Sequence, residues 1–395
     1  FQSIISVNES LMTWFDVNES KPKAFVEPSL VNTFKLIVKD LKLTPPSRLN
    51  EEIEKIQFQL QNNFNFGKVL PIGAVVFLTS KKPILTFFIH HLVVDGVSWR
   101  VLLEELENNY LAIVNGEDKI SFPMTQFSDW IGELYKKELH TNHSYWENID
   151  VENVHPLCIQ PVRKDYLFKD RYHVTKTLSE ESTKQFLNAR KHSEIYKPDV
   201  LIAVTFAQAF SQIFGQQDVL FNFEGHGRDS RKSALDLSRT IGWFTTMYPL
   251  QVTINTLEEM LYTVGQSLSE IGSGLDFMIA RWIKENNNIT HIQPSILVNY
   301  LGDFDNDIST SANSKNGGNG VLQYSSNLPQ APAIHPDNEL SNILEINIFI
   351  LDGKLNLSLE VDTQVISNEK AQLLLSQFEE VLVECSGNAK EPQNT

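Results

Sequence analysis

The sequence predicts an α/β protein assembled from two units. The first observation is a repeated device, a short β-rich run that ends in titratable residues and glycine. ILTFFI (84–89) runs into HHLVVDG, and DVLFNF (218–223) runs into EGHGR. The second is that each run is accompanied by stretches of helical apolar spacing, as in a fold built of strands and helices. The third is size, because 395 residues with 42% hydrophobic content can bury a large core, and the length suggests two or three domains. The two units share a pattern and not a repeated sequence.

In chain order, ILTFFI follows the turn-like KKP and is bounded by Pro and Gly, the pattern of a buried strand, with His90 and His91 at its C-terminal end. From Ser98 onward, Trp99, Leu102, Leu103, Leu106, Tyr110 and Ile113 recur at helical spacing and Gly116 supplies the stop. The segment therefore reads strand, tight turn, helix. A second unit begins after the charged, turn-rich stretch 150–172. There RYHVTKTL (171–178) reads as a strand and SEESTKQFLNARK as a helix capped by Ser179. DVLIAVTFAQAFSQIFG reads as a helix apolar on most of its surface and hence buried. DVLFNF and SILVNYLGDF are further strands, and residues 303–341, rich in Asn, Ser, Gly and Pro, have the composition of a long mobile surface loop. The chain closes with ILEINIFIL, a turn at Asp352-Gly353, KLNLSLEV and the amphipathic NEKAQLLLSQFEEVLVE, a hairpin followed by a helix.

Composition removes several classes of function. A formal net charge of -16 leaves no broad basic surface for a polyphosphate, so nucleic acid is not expected as a partner. The longest apolar stretches, such as LIAVTFAQAF (201–210), are too short to span a bilayer, and no membrane segment is expected. Cys158 and Cys385 lie far apart without CxxC or Cys/His metal spacing. Neither a disulfide framework nor a metal site is expected, and a reducing cytoplasm fits. The chain opens FQSIISV, with no initiator Met and no signal-peptide pattern, and is expected to be a piece of a longer polypeptide. GxSxG, HExxH and P-loop motifs are absent, so hydrolase, zinc-protease and NTPase readings lack their defining parts.

Three stretches carry candidate chemistry. Successive strand residues point to opposite faces, so one of His90 and His91 is expected to face a cleft and the other to pack against the fold. Asp95 and Gly96 follow at a turn, where a carboxylate can orient a ring or clamp a backbone. In FEGHGRD, Glu224 leaves a strand between glycines that permit positive φ and close approach, although the stretch alone reads equally well as a surface turn of solvated charges. RTIGWFTTMYPL (239–250) gathers Trp243, Phe244 and Tyr248 around Gly242, which by itself reads as core packing.

Taken together, these stretches resemble a known set. HHLVVDGVSWR resembles the HHxxxDG motif of nonribosomal peptide synthetase condensation-type domains. Its Ser98-Trp99-Arg100 continuation, with EGHGRD, RTIGWFT and NYLGD in that order, resembles the epimerization subclass. The resemblance implies two chloramphenicol-acetyltransferase-like α/β subdomains, residues 1–160 and 161–395, in a V-shaped pseudo-dimer with a central tunnel. The phosphopantetheine arm of a carrier domain enters the tunnel with an aminoacyl or peptidyl thioester, whose α-carbon is inverted from L to D.

Inversion removes a proton from one face and returns it to the other. His91 and Glu224, facing each other across the cleft, are the implied general acid and base and stabilise the enolate. His90, Asp95, Gly96, Ser98, Trp99 and Arg228 are the implied supporting set. Gly242, Trp243, Phe244, Thr245, Asn299 and Tyr300 are the implied tunnel and substrate residues. No bound metal or pyridoxal cofactor is implied. The implied partners are a peptidyl carrier domain upstream in the same polypeptide and a condensation domain downstream, with the excised domain a monomer.

Two departures from the family pattern stand out. Its G-x-G-Y-G-x-x-R-Y stretch appears as GLDFMIARW (274–282), with Asp276 and Met278 in place of glycines and Phe277 in place of tyrosine. Its opening helix and first strand are not legible in residues 1–50. A condensation domain joining two carrier-bound amino acids shares the HHxxxDG motif without needing Glu224, and a catalytically silent relative that recruits a partner is the third reading.

Overall fold

In the computed structural model, which describes residues 1–18, 21–64, 67–117, 125–136, 141–161, 165–192, 194–229, 234–304 and 328–388, the chain forms two units that are discontinuous in sequence. One comprises Phe1–Leu139, Arg228–Phe244 and Asp307–Ala333; the other comprises His140–Gly227, Thr245–Asn306 and Ile334–Thr395. The single cut expected near residue 160 therefore differs from the units found. Residues 140–160 cluster with the second unit, and 228–244 cluster with the first.

In the first unit, β1 (Thr13–Asp16) pairs with β2 (Lys23–Val26), and β3 (Leu36–Asp40), β4 (Ile72–Leu78) and β5 (Ile84–Ile89) form a separate three-stranded sheet in that order. Residues 1–50 thus do contain strands. Those of the hairpin are four residues long, and β2 is exposed throughout, so there is no in-out alternation to read from the sequence. Helix α1 (Pro46–Gln61) covers one face of the sheet, burying Ile53 against Val75 and Phe77. Helix α2 (Gly96–Val114) covers the other, packing Leu102 and Leu106 with Ile72. Helix α3 (Phe127–Leu134) follows. The expected buried strand ILTFFI is β5, yet every residue in it is only half-buried, because β5 lies at the sheet edge with β4 on one side alone. Tyr110 and Ile113, placed on the apolar face of α2 by their spacing, are 50% and 54% exposed, and Glu105 is buried instead.

The second unit is a six-stranded mixed sheet, order β6 (Tyr172–Thr177), β11 (Lys354–Val361), β10 (Leu344–Leu351), β9 (Ile296–Asp303), β7 (Asp218–Gly225), β8 (Thr246–Thr253). One face is apolar. Phe221 and Phe223, Val298, Ile346 and Ile348, and Leu357 and Leu359 pack there with α4 (Glu180–His192), α5 (Pro198–Phe214), α6 (Leu257–Ile271) and α7 (Asn368–Gly387). Each large side chain buried this way contributes roughly 1.5–3 kcal/mol. Asp352 and Gly353 both take positive φ, 53° and 70°, so the β10–β11 hairpin closes with the two-residue turn whose twist matches its strands.

Residues 305–327 of the expected mobile loop lie outside the described residues. The described remainder is tied down. Gln57 donates to the Pro329 carbonyl and accepts from the Ala331 N–H, while the Phe168 and Lys169 N–H groups donate to the Asn338 and Pro336 carbonyls. No described helix is long and apolar enough to cross a membrane. Cys158 and Cys385 are buried and free, with burial raising their thiols to about 11 and about 12.

Candidate active site

In the first unit the strand ends before the histidines. β5 stops at Ile89, and His91–Val93 form a 3-10 turn with His90 as its N-cap. The two rings are therefore separated by a cap and not by strand alternation. The His90 Nδ1 accepts from the Leu92 N–H at 3.2 Å, and its ring meets Phe64 edge-on. Burial first, then the neighbouring His91, holds the His90 imidazole below its ordinary range, which suits a ring that works as an acceptor. His91 is exposed and lies against the 42%-exposed Trp243, ring centroids 5.4 Å apart.

Asp95 is 2% exposed and caps α2, its Oδ1 accepting from the Ser98 N–H at 2.8 Å. Arg228 Nη1 lies 2.5 Å from Asp95 Oδ2 and Nη2 3.2 Å from Oδ1. The guanidinium also donates to the Leu237 and Thr240 carbonyls and stacks 4.0 Å from the Phe244 ring centroid. The Ser98 hydroxyl sits 2.8 Å from Asp95 Oδ1 and 2.9 Å from the Gly242 carbonyl, and accepts from the Gly242 N–H at 3.0 Å. The DG turn and the RTIGWF segment are thus joined by one buried polar cluster, fully hydrogen-bonded as buried charge requires.

In the second unit Glu224 leaves β7 on the polar face of the sheet. That face carries Asn222 and Glu224, Asn299, Glu345 and Asn347, and Ser358 and Glu360, as the register fixes. Glu224 is half-buried, and burial first, then the Glu345 carboxylate, pushes it up to about 7. The next residue must be glycine. A Cβ on Gly225 would lie 2.5 Å from the Ser273 carbonyl oxygen, to which the Thr246 hydroxyl also donates. Gly227 has φ 64°, so the two glycines serve different needs, close approach and backbone turn. A carboxyl that titrates near neutrality on a partly water-excluded strand end can both take and give a proton at physiological pH.

The family model described as Condensation domain matches residues 1–395. The chain belongs to the condensation-domain family. Against Bacitracin synthase 3 of Bacillus licheniformis this condensation-family domain is 27% identical over 97% of its length, covering 6% of that protein. Against Gramicidin S synthase 1 of Brevibacillus brevis it is 27% identical over 82% of its length, covering 31%. The domain therefore spans less than a third of these relatives. Among solved structures, the epimerization domain from the third module of tyrocidine synthetase B superposes with a TM-score of 0.83 at 23% identity, covering 98% of this chain and 87% of that one. The first condensation domain of the calcium-dependent antibiotic synthetase gives 0.65 at 15% identity, covering 98% and 86%. These likenesses establish the condensation-domain α/β fold.

Several expected site residues of this condensation-family domain make packing contacts. Gly242 is a packing residue, because a Cβ there would meet the Phe127 ring at 2.3 Å. Phe244 is 4% exposed, between Phe127, Trp130 and Arg228, and so belongs to the interior. Tyr300 packs edge-on to Phe186 on the helix-covered face, opposite the face that carries Asn299. Gly96 has no positive φ and a Cβ there would meet nothing within 4 Å, so neither backbone nor space demands it. Trp99 packs on Phe87, and Thr245 is half-buried.

In GLDFMIARW, Gly274 retains φ 73° with the Tyr248 ring where its Cβ would be, and Leu275–Met278 form a helical turn continued by a π-helical one. Asp276 accepts there from the Asn142 N–H at 3.1 Å. Glu345 and Asn347 were missing from the expected site. Their signal is the alternation in LEINIFIL, which sets Glu345 and Asn347 on the face away from Ile346, Ile348 and Ile350. Among the described residues no cluster of three His, Cys, Asp or Glu could hold a metal ion.

Proposed function

We propose that this domain inverts the α-carbon of an aminoacyl or peptidyl thioester carried on the phosphopantetheine of a carrier domain, in nonribosomal peptide synthesis. The observation that carries the reading is Glu224, a half-buried strand-end carboxyl pushed to about 7. Peptide-bond formation has no evident use for such a group, whereas epimerization needs two proton-transfer groups. Removing the α-proton beside a thioester carbonyl gives an enolate, and returning a proton to the opposite face gives the other enantiomer, with no net redox change. Glu224 and His91 are the assigned pair, each contributing roughly 10²- to 10⁴-fold. Trp243 supports the His91 ring. The likeness to an epimerization domain at TM-score 0.83 supports the same reading.

The carrier is assigned to the same polypeptide, upstream, with a condensation domain downstream and a cytoplasmic setting. The excised domain is assigned as a monomer. In deuterated water, an aminoacyl carrier incubated with the domain should gain α-deuterium and yield both L and D product on hydrolysis. Glu224→Gln and His91→Ala should abolish inversion. Absence of exchange and inversion on every aminoacyl and peptidyl carrier offered overturns the reading. The family description favours a second reading, peptide-bond formation, which would appear in the same assay as a dipeptide once an acceptor carrier is supplied.

A further inference from the structure

The polar face of the six-stranded sheet holds three glutamates in a row of strands, Glu360 on β11, Glu345 on β10 and Glu224 on β7. Glu345 and Glu360 are direct cross-strand partners, an arrangement of like charges that is unfavourable unless compensated. Among the described residues, only one of them has a cation. Arg171 Nε lies 2.9 Å from Glu360 Oε2. Glu345 is held instead by neutral amides, with Asn347 Nδ2 donating to Oε1 at 2.9 Å and Asn342 Nδ2 to Oε2 at 3.4 Å. An amide anchor fixes a carboxylate in place without cancelling its charge, and a half-buried sheet face screens that charge less than open water does. The next strand in the direction of Glu224 is β9, which contributes Leu297 and Asn299 to this face and no charge.

We propose that Glu345, anchored by the Asn342 and Asn347 amides, is a positioning residue that acts through space on Glu224, keeping a proton on it that an isolated strand-end carboxyl would release. This deepens the proton-transfer role given to Glu224 above and rests on that reading. Among the described residues, the other charged or titratable groups around Glu224 within this unit are few. β8 opposes it with Met247, Asp303 ends β9 in register with Ile350 of the apolar face, and His226 follows just past the end of its own strand. On the outer strands, Glu360 is paired with Arg171, and His173 meets the Ser358 hydroxyl at 2.9 Å.

The test is a direct titration of Glu224 in the whole 395-residue chain, by NMR of 13C-labelled glutamate carboxyls assigned with Glu224→Gln. Glu345→Gln should lower the Glu224 midpoint by roughly half to one pH unit. Glu345→Asp, which keeps the charge, should restore most of it, and the pH profile of α-hydrogen exchange should move with the midpoint. An unmoved Glu224 midpoint in folded Glu345→Gln protein overturns the proposal, whatever the activity. A moved midpoint with an unmoved exchange profile upholds the coupling and overturns Glu224 as the proton-transfer group, so the two failures are distinguishable.

Discussion

Asp95 and Arg228, 133 residues apart in sequence, form a buried two-point ion pair, and their side chains are 3% and 7% exposed. The pair closes the helix cap of the HHxxxDG turn onto the RTIGWF segment, so its first role is to hold that turn. Removing one partner leaves the other charge buried. Arg228→Ala or Asp95→Ala should lower unfolding stability by about 3–5 kcal/mol, read from urea midpoints. The double variant should cost clearly less than the two losses added. A single Asp95 variant that unfolds like the wild type and loses only activity would assign Asp95 a direct chemical role.

Glu224 makes stability depend on pH with a defined sign. Its ordinary value of 4.5 is raised to about 7 in the folded chain, so between these pH values the native state keeps a proton that the unfolded state has released. Its contribution is therefore complete below about 4.5 and lost as pH rises through about 7, amounting to roughly 1–3 kcal/mol. Glu224→Gln should be more stable than the wild type at pH 8 and close to it at pH 5. Equal urea midpoints at pH 8 would show that the carboxylate is not strained there.

The Gly242 contact with Phe127 gives a paired prediction. Gly242→Ala should cost about 1–3 kcal/mol through overpacking against the ring, and much less when introduced into Phe127→Ala. A penalty independent of residue 127 would place the constraint in the backbone and its bonds to Ser98.

His91 and Trp243 should separate chemistry from stability. Both are exposed, so His91→Ala and Trp243→Ala should each change unfolding stability by no more than about 0.5–1 kcal/mol. His91→Ala should reduce inversion at least 100-fold, roughly. Trp243→Ala should reduce it about tenfold, with Trp243→Phe recovering part. If one of His91→Ala and Glu224→Gln still exchanges the α-hydrogen without inverting the centre, the residue left intact is the base.

The sequence was most informative where period and punctuation coincide. The C-terminal hairpin and helix are legible because apolar Leu344, Ile346, Ile348 and Ile350 recur at every second position and the Asp352-Gly353 turn admits positive φ at both positions. β7 and β9 are legible as apolar runs. β8 is not, because TMYPLQVT carries a proline and its alternation is irregular. Strand alternation does not place His90, because the strand has already ended and a cap, which depends on one ring nitrogen, decides its position. Tyr300 and Asn299 are neighbours in the sequence but lie on opposite faces of β9, a separation that motif spacing alone does not show. Partners such as Arg228 for Asp95 have no local signal at all, since they meet only after folding.

That the segment 228–244 completes the first unit from deep within the second half of the chain has a consequence for heredity and for engineering. A recombination event or a graft that exchanges residues 1–160 alone brings a foreign HHxxxDG turn onto the resident Arg228, Gly242 and Phe244. It succeeds only when donor and recipient agree on a guanidinium, a residue without Cβ and a flat ring at those places. Exchanges bounded after residue 244 carry both sides of the cluster together. Hybrids that take residues 1–160 from one parent should therefore be recovered folded more often when residues 228–244 come from that parent too, even when the parents are equally similar in both segments.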